Sequence, residues 1–486
     1  MSNPPNDAPN DVVVEGDVNE DGQGLQRGLS NRHLQLMALG GAIGTGMFMG
    51  SSNTINQAGP SSMLVYAVVG FFLYFMMRAM GEMLLSNLKY KSFRDIAEDI
   101  LGPAGGFIAG WTYWFGWIVA AMGDLSAITK YAQYWWGEDF PPIIPAAVLV
   151  AVLFILNVVA VKYFGEAEFW FALIKLVAVG ALLLVAASLL FSGFVTQHGP
   201  VAVENLWNNR GFFPNGFEGF LAGFQIAFFA FVGLEVVGTA AAETHNPERN
   251  LPKAINAIPV RLALFYVLAL AAICVVIPWE AVDPGNSPFT ALFDLAGFGA
   301  AASVMNFVLL TAAASSDNSG LFSTSRMMYG LAEDGQAPEV LGRLSKRKVP
   351  QNALICSCLL LLSGVIFQYM PKGEDGQDSV GAAFDLVTTA ASVLFLFIWA
   401  LIVVCYLVYR KKHPELHARS TYKMPGGVFT AWMVLIFFAV SVYILCLEEG
   451  EQRTAVIITP IWFVIIVLCY FFHRARRRRM APAERR

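Results

Sequence analysis

Apolar stretches of 18 or more residues recur along most of this chain, each long enough to cross a hydrocarbon core of roughly 30 Å as a helix. Inside lipid a backbone has to satisfy its own hydrogen bonds, so such a chain folds as a bundle of helices. The composition agrees: 56% of the 486 residues are hydrophobic and 14% are charged, where a soluble domain carries about a quarter charged. An all-α integral membrane protein with about twelve spans is expected, at 33–54, 62–86, 106–130, 143–161, 168–191, 217–241, 257–278, 299–325, 353–370, 383–407, 429–447 and 455–473. No soluble domain of useful size remains between them.

The ends differ from the middle. Residues 1–30 are rich in Pro and Asn, with Asp7, Asp11, Glu15, Asp17, Glu20 and Asp21 all before the first basic residue, Arg27. They read as a disordered acidic tail. They lack the basic start and apolar stretch of a cleaved signal, so the first span is expected to direct insertion. Residues 474–486 form a basic tail suited to anionic lipid and not to nucleic acid. Between the tails, residues 31–473 read as one transporter domain. If the N-terminus is cytoplasmic, nearly all Lys and Arg fall in the inner segments, and the outer ones keep only Lys130, Arg210, Lys372 and Arg453. The positive-inside rule therefore puts both termini in the cytoplasm.

Two spans carry glycines where an uninterrupted helix avoids them. The first contains Gly40, Gly41, Gly44, Thr45 and Gly46, and the sixth contains Phe228 to Gly238 in the run FFAFVGLEVVG. They head two five-span halves, 33–191 and 217–407, which enter the membrane from opposite sides, with 429–473 as additional helices. Interrupted helices at matching places in inverted halves point to a transporter binding site. At the first break, amide N–H groups at a new helix N-terminus suit a carboxylate; close packing through the Gly40 and Gly44 spacing is the alternative.

Ionisable residues at membrane depth are the other candidates. Lys175, about two turns inside the cytoplasmic end of the fifth span, either snorkels outward or faces the bundle, where an ammonium replaces a driving cation. Glu235, after the second break, either carries a coupling proton or accepts hydrogen bonds from amides the break frees. Asp124 reads as an outer-vestibule, packing or binding group. Ser315, Ser316, Asp317 and Asn318 form a polar run expected to line a cavity. Phe229 and Phe231 beside the second break are gate candidates. Arg78 and Glu82, four apart, are expected to pair near the membrane interface. The six cysteines and six histidines offer no metal or haem site, and no nucleophile with a base suggests an enzyme. No cofactor is expected, and the lipid bilayer is the partner that the composition itself implies. A channel would need a continuous polar face, whereas polar residues here gather at two breaks.

These residues carry a resemblance. The stretches NRHLQLMALGGAIGTGMFMGS, RAMGEMLLSN, GWTYWF, AFVGLEVVGTAAAET, NSGLFSTSRMMYGLA and YKMPGG resemble the amino acid permease family of the amino acid/polyamine/organocation superfamily, over nearly everything from Leu25 to the last span. The resemblance implies a leucine-transporter-like fold, a 5+5 inverted repeat with discontinuous helices 1 and 6. It also implies proton-driven uptake of a small neutral amino acid (glycine, D-alanine, D-serine or similar) across a bacterial inner membrane. It implies that the substrate carboxylate meets the amides of Thr45 and Gly46, beside Gly44, and that the ammonium meets carbonyls near Ala42, Phe229 and Val232. Lys175 is implied in proton coupling and Phe229 in gating. Asp317 departs from the pattern, standing where a small or apolar residue is expected.

Overall fold

The computed structural model describes residues 43–158, 161–239, 246–370, 378–447 and 450–480. The 1–30 tail, Gly40, Gly41, Ala42 and residues 481–486 lie outside the described residues. What is described is almost wholly helical, with one short hairpin pairing Val195–Thr196 with Gly199–Pro200.

Eight helical stretches among the described residues are long and apolar enough to cross a membrane. The difference from twelve expected spans has local causes. The first two run on as one stretch, Thr45–Ser86, made of α1 (Thr45–Phe48), α2 (Gly50–Ala58) and α3 (Ser62–Ser86). The chain turns at Gly59, whose φ of 61° favours glycine. The third lies in α5 (Pro103–Trp136), where glycines, Trp, Tyr, Thr and Asp124 lower the hydropathy. Helices α6 (Ile143–Val158) and Gly216–Phe229 are apolar but shorter. The latter comprises α8 (Gly216–Ala222) and α9 (Phe224–Phe229), and it is short because the backbone turns at 230–235 before α10 (Val236–Thr239).

The centre of the bundle is built from α5, α15 (Gly299–Glu333) and α17 (Ser379–Lys412), which pack against one another. Trp117, Tyr113, Phe395 and Trp399 fill that core with edge-on and tilted ring contacts. Small residues let the helices approach closely. A Cβ on Gly320 would sit 2.2 Å from the Trp117 ring. Helix α7 (Val161–Phe191) flanks α15 from one side. In its most apolar window α17 is 67% buried, against 17% for α20 (Gly450–Met480). Helix α20 and α19 (Gly427–Leu447) turn Phe429, Trp432, Ile436, Ile458, Ile461 and Phe472 outward, an apolar surface that suits lipid.

Two polar clusters fasten the end of the bundle that carries the basic loops. Arg94, on the short helix α4 (Phe93–Leu101), is buried and reaches Glu98 at 2.9 Å, Asp334 just past α15, and Gln336. Lys412 donates to the Ile100 carbonyl at 2.9 Å, tying α17 to the same helix. Glu82, fully buried on α3, accepts from His417, from Tyr406 and from the Met424 amide at 2.7 Å. Arg78 instead donates to Asn256 and to the Lys423 carbonyl and lies over the Tyr422 ring. The expected Arg78 to Glu82 pair is therefore not made. Both side chains find stronger partners on the segment between α17 and α19, which sequence spacing along one helix does not reveal.

Arg94→Ala removes the shared donor of this cluster. Because Glu98 and Asp334 keep partial access to solvent, the expected loss is about 2 kcal/mol. It should appear as a lower thermal unfolding midpoint in detergent, with Arg94→Lys recovering only part of it.

Candidate functional site

The two glycine-rich segments touch; of the first, the described residues are those from Ile43 onward. Gly44 is extended (φ −124°, ψ −160°), and helix α1 starts at Thr45. The Met47 and Phe48 amides turn back onto the Gly44 carbonyl at 3.2 Å. The amides of Thr45 and Gly46 are thus the leading donors of a new helix, with no acceptor among the described residues. At the second break α9 ends at Phe229, and 230–235 continue as tight turns held by bonds from Phe231 N to Phe228 O, Val232 N to Phe229 O and Leu234 N to Phe231 O. Gly233, with φ 105°, takes a backbone conformation that side chains disfavour. The Val232 carbonyl accepts no hydrogen bond among the described residues.

The two breaks meet at Gly46. A Cβ placed there would lie 2.5 Å from the Ala230 Cα and 2.9 Å from the Phe229 ring, so only hydrogen fits. Phe229 reaches on to Gly123 of α5 and meets Phe384 of α17 edge-on. Phe231 faces away and stacks on Tyr266 at 4.7 Å, beside Tyr66. Of the two aromatic candidates, then, Phe229 lies on the Gly46 contact and Phe231 is a packing residue of the opposite face.

Two of the groups freed by the second break, the Ala230 carbonyl and the Gly233 amide, have dedicated partners. Tyr266 donates to the Ala230 carbonyl at 2.8 Å from Ala263–Val267, a stretch of wider helical turn. Such widened turns gather at functional places. Glu235, fully buried, accepts from the Gly233 amide at 3.3 Å and from the Trp399 indole at 3.2 Å through one oxygen. Its other oxygen has no partner among the described residues.

Next to the breaks lies a buried polar network. Lys175 on α7 is 1% exposed, so it does not snorkel; its Nζ donates to Ser315 Oγ at 3.2 Å. Ser315 in turn donates to Glu168 at 2.9 Å, and Asn318 donates to the other Glu168 oxygen at 2.8 Å. Asn157 of α6 closes the chain onto Asn318 at 2.8 Å. Ser315 and Asn318, three apart on α15, share the face toward α7. Ser316 abuts Gly44, where an added Cβ would come within 3.2 Å of its hydroxyl. Asp317 is buried, and Asp124 accepts a hydrogen bond from the Thr45 hydroxyl. Asp124, Lys175, Thr45 and the Ser315 to Asn318 run thus come together, while Glu235 belongs to the second break. Ala42 lies outside the described residues.

Glu168 is the member of this buried network that sequence reading missed. It precedes Lys175 by seven residues, two helical turns, which puts both on one helix face; its place at the expected edge of a span hid it. A separate cleft of about 360 Å³, lined by Met49, Tyr131, Ser287, Asp294 and Asn306 among others, reaches to within one turn of Thr45. Asp124 is not among the residues lining it.

Comparison with known proteins gives a consistent picture. The family described as amino acid permease matches residues 33–483. The D-serine/D-alanine/glycine transporter of Escherichia coli (strain K12) is 51% identical, over 96% of this chain and 97% of the relative. An amino-acid permease of Bacillus subtilis (strain 168) is 47% identical over 92% and 95%. The aromatic amino acid transport protein of Escherichia coli (strain K12) is 38% identical over 95% and 98%.

Gly46→Ala should force the two breaks apart, since the obstructing atoms are backbone. The expected cost is about 1–3 kcal/mol, read as a fall in thermal midpoint, whereas Gly180→Ala, which meets open space, should leave the midpoint unchanged.

Proposed function

Since the chain belongs to the amino acid permease family, we propose that it is a secondary active transporter that imports a small neutral amino acid (glycine, D-alanine, D-serine or a close relative) by proton symport. The observation that carries this reading is the contact of the two breaks through Gly46, with the buried Lys175 network alongside. The close identity to a relative named for D-serine, D-alanine and glycine supports the substrate class.

In this reading the substrate carboxylate sits on the amides of Thr45 and Gly46, where a helix N-terminus concentrates positive potential. The ammonium meets carbonyls of Ala42, Phe229 and Val232, of which Val232 has its oxygen open. Such a site recognises the part common to every α-amino acid. Selectivity by size then falls to the surrounding side chains, and Phe229, wedged between Gly46 and Gly123, is placed to act as a gate. Lys175 carries the coupling charge: its single ammonium, held by Ser315, is the group whose proton can leave when the bundle opens. Glu235 fastens the second break through its bonds to Gly233 and Trp399, and its open oxygen keeps it a further proton candidate.

The same reading places twelve helices in a bacterial inner membrane, with repeat halves at about 33–191 and 217–407, and the acidic and basic tails both in the cytoplasm. The distribution of Lys and Arg supports that orientation.

The test is uptake of radiolabelled glycine by the purified protein in liposomes, with and without an inward proton gradient. Gradient-driven uptake, competed by D-alanine and D-serine, is expected. Uptake of only a larger amino acid would replace the substrate, and counterflow indifferent to the gradient would make the protein an exchanger. Lys175→Ala should abolish accumulation against a gradient while counterflow remains measurable; loss of both would mark Lys175 as structural.

A further inference from the structure

The buried network does not balance its charges. Asp124 on α5 is 3% exposed, Asp317 on α15 is 1% exposed and Glu168 on α7 is fully buried. One ammonium, Lys175, lies within electrostatic reach of all three. Glu168 is fully engaged, with one oxygen on Ser315 and the other on Asn318. Asp124 is held by the Thr45 hydroxyl. Asp317 differs: both of its oxygens are buried and neither has a hydrogen-bond partner among the described residues. Asp124 lies close by: it is bonded to Thr45, whose neighbour Gly44 abuts Ser316, the residue before Asp317, and the two carboxyls are within electrostatic reach of each other.

Two buried carboxylates side by side do not both stay ionised. A single proton between them resolves both problems. It makes one carboxyl a donor to the other, giving Asp317 the partner it lacks, and it leaves one negative charge spread over the pair and steadied by Thr45. With Lys175 set against Glu168, the buried network then carries one net negative charge in place of two, and that charge is the one the pair shares.

The other surroundings supply no substitute. Along α5, Tyr131 is the further titratable group in electrostatic contact with Asp124. From α7 the facing ionisable groups are Lys175 and Glu168. Helix α6 contributes Asn157 to the network. Helix α17 brings Thr388 and Val387 against Gly123, and Phe229 touches the same glycine. None of these three titrates.

We propose that Asp124 and Asp317 share one proton and form a second proton-binding site beside Lys175, tied through Thr45 to the first break. It deepens the symport reading and rests on it. Because Thr45 opens helix α1, release of the proton and movement of the break are mechanically linked: once both carboxyls ionise, their repulsion pushes α5, α15 and the start of α1 apart. Asp317, where a small or apolar residue is expected, makes this second proton a property of this chain's own sequence.

The test uses the full chain, purified and reconstituted, as wild type, Asp317→Asn and Asp124→Asn. Infrared spectra at neutral pH should show a protonated carboxyl band in the wild type that shifts on labelling with carboxyl-13C aspartate and disappears in Asp317→Asn. In liposomes Asp317→Asn should carry one proton fewer per amino acid while counterflow remains measurable. A wild type without an aspartic acid band, or an Asp317→Asn variant with an unchanged proton ratio, overturns the proposal. So does uptake that follows sodium in place of protons, because a metal cation then neutralises the pair. The isotope shift is read on the wild type, so the proposal stays open to refutation even if both variants misfold. An aspartic acid band in a protein that shows no proton-coupled flux would keep the shared proton and refute the symport reading instead.

Discussion

A helix in lipid is stable because it leaves no backbone group unpaired, and this protein breaks that condition twice at one point of contact. Everything near the breaks is arranged around groups freed from helical bonding. Tyr266 reaches the Ala230 carbonyl from a widened turn, and Glu235 gathers the Gly233 amide and the Trp399 indole on one oxygen. The first break is left more open, with the Thr45 and Gly46 amides leading helix α1.

The small residues at the contact act as much through geometry as through flexibility. Gly46 lets one backbone lie against another at Ala230, Gly50 lies against Ile226, and Gly44 lies against Ser316. Helices that close cannot slide past one another without clashes, so α1, α9 and the middle of α15 are packed as one connected set. The long contacts of α5 with α15 and α17 supply the frame against which such a set would move.

Much of this was legible in the sequence, because hydropathy and glycine placement are local signals. The runs at 62–86, 299–325 and 383–407 are covered by continuous helices. The turn near Gly233 falls where the glycines announced it, and a helix starts directly after Gly44. Lys175, Asp124 and the Ser315 to Asn318 run stood out because ionisable and polar residues are rare at membrane depth. Partner choice was not legible. Whether Glu82 meets Arg78 or His417 depends on how each helix is rotated about its axis, which packing between helices sets. Glu168 was hidden for a related reason: a carboxylate near the edge of an apolar run looks like an interface residue until α15 is seen to cover it. Arg94 counted only toward orientation, although its burial makes it a fastening between α4 and the segment after α15.

The Lys175 network also constrains how the chain is made. Ser315, the acceptor of the ammonium, is 140 residues further along. At about 5–20 residues per second of synthesis, the nascent helix carries its lysine into the membrane roughly 7–28 s before that acceptor exists. Glu168, formed on the same helix two turns earlier, lies within electrostatic reach of the ammonium from the outset. The carboxylate that completes the hydrogen-bonded chain in the finished protein is thus also the counter-charge nearest to the lysine in sequence, on the same helix.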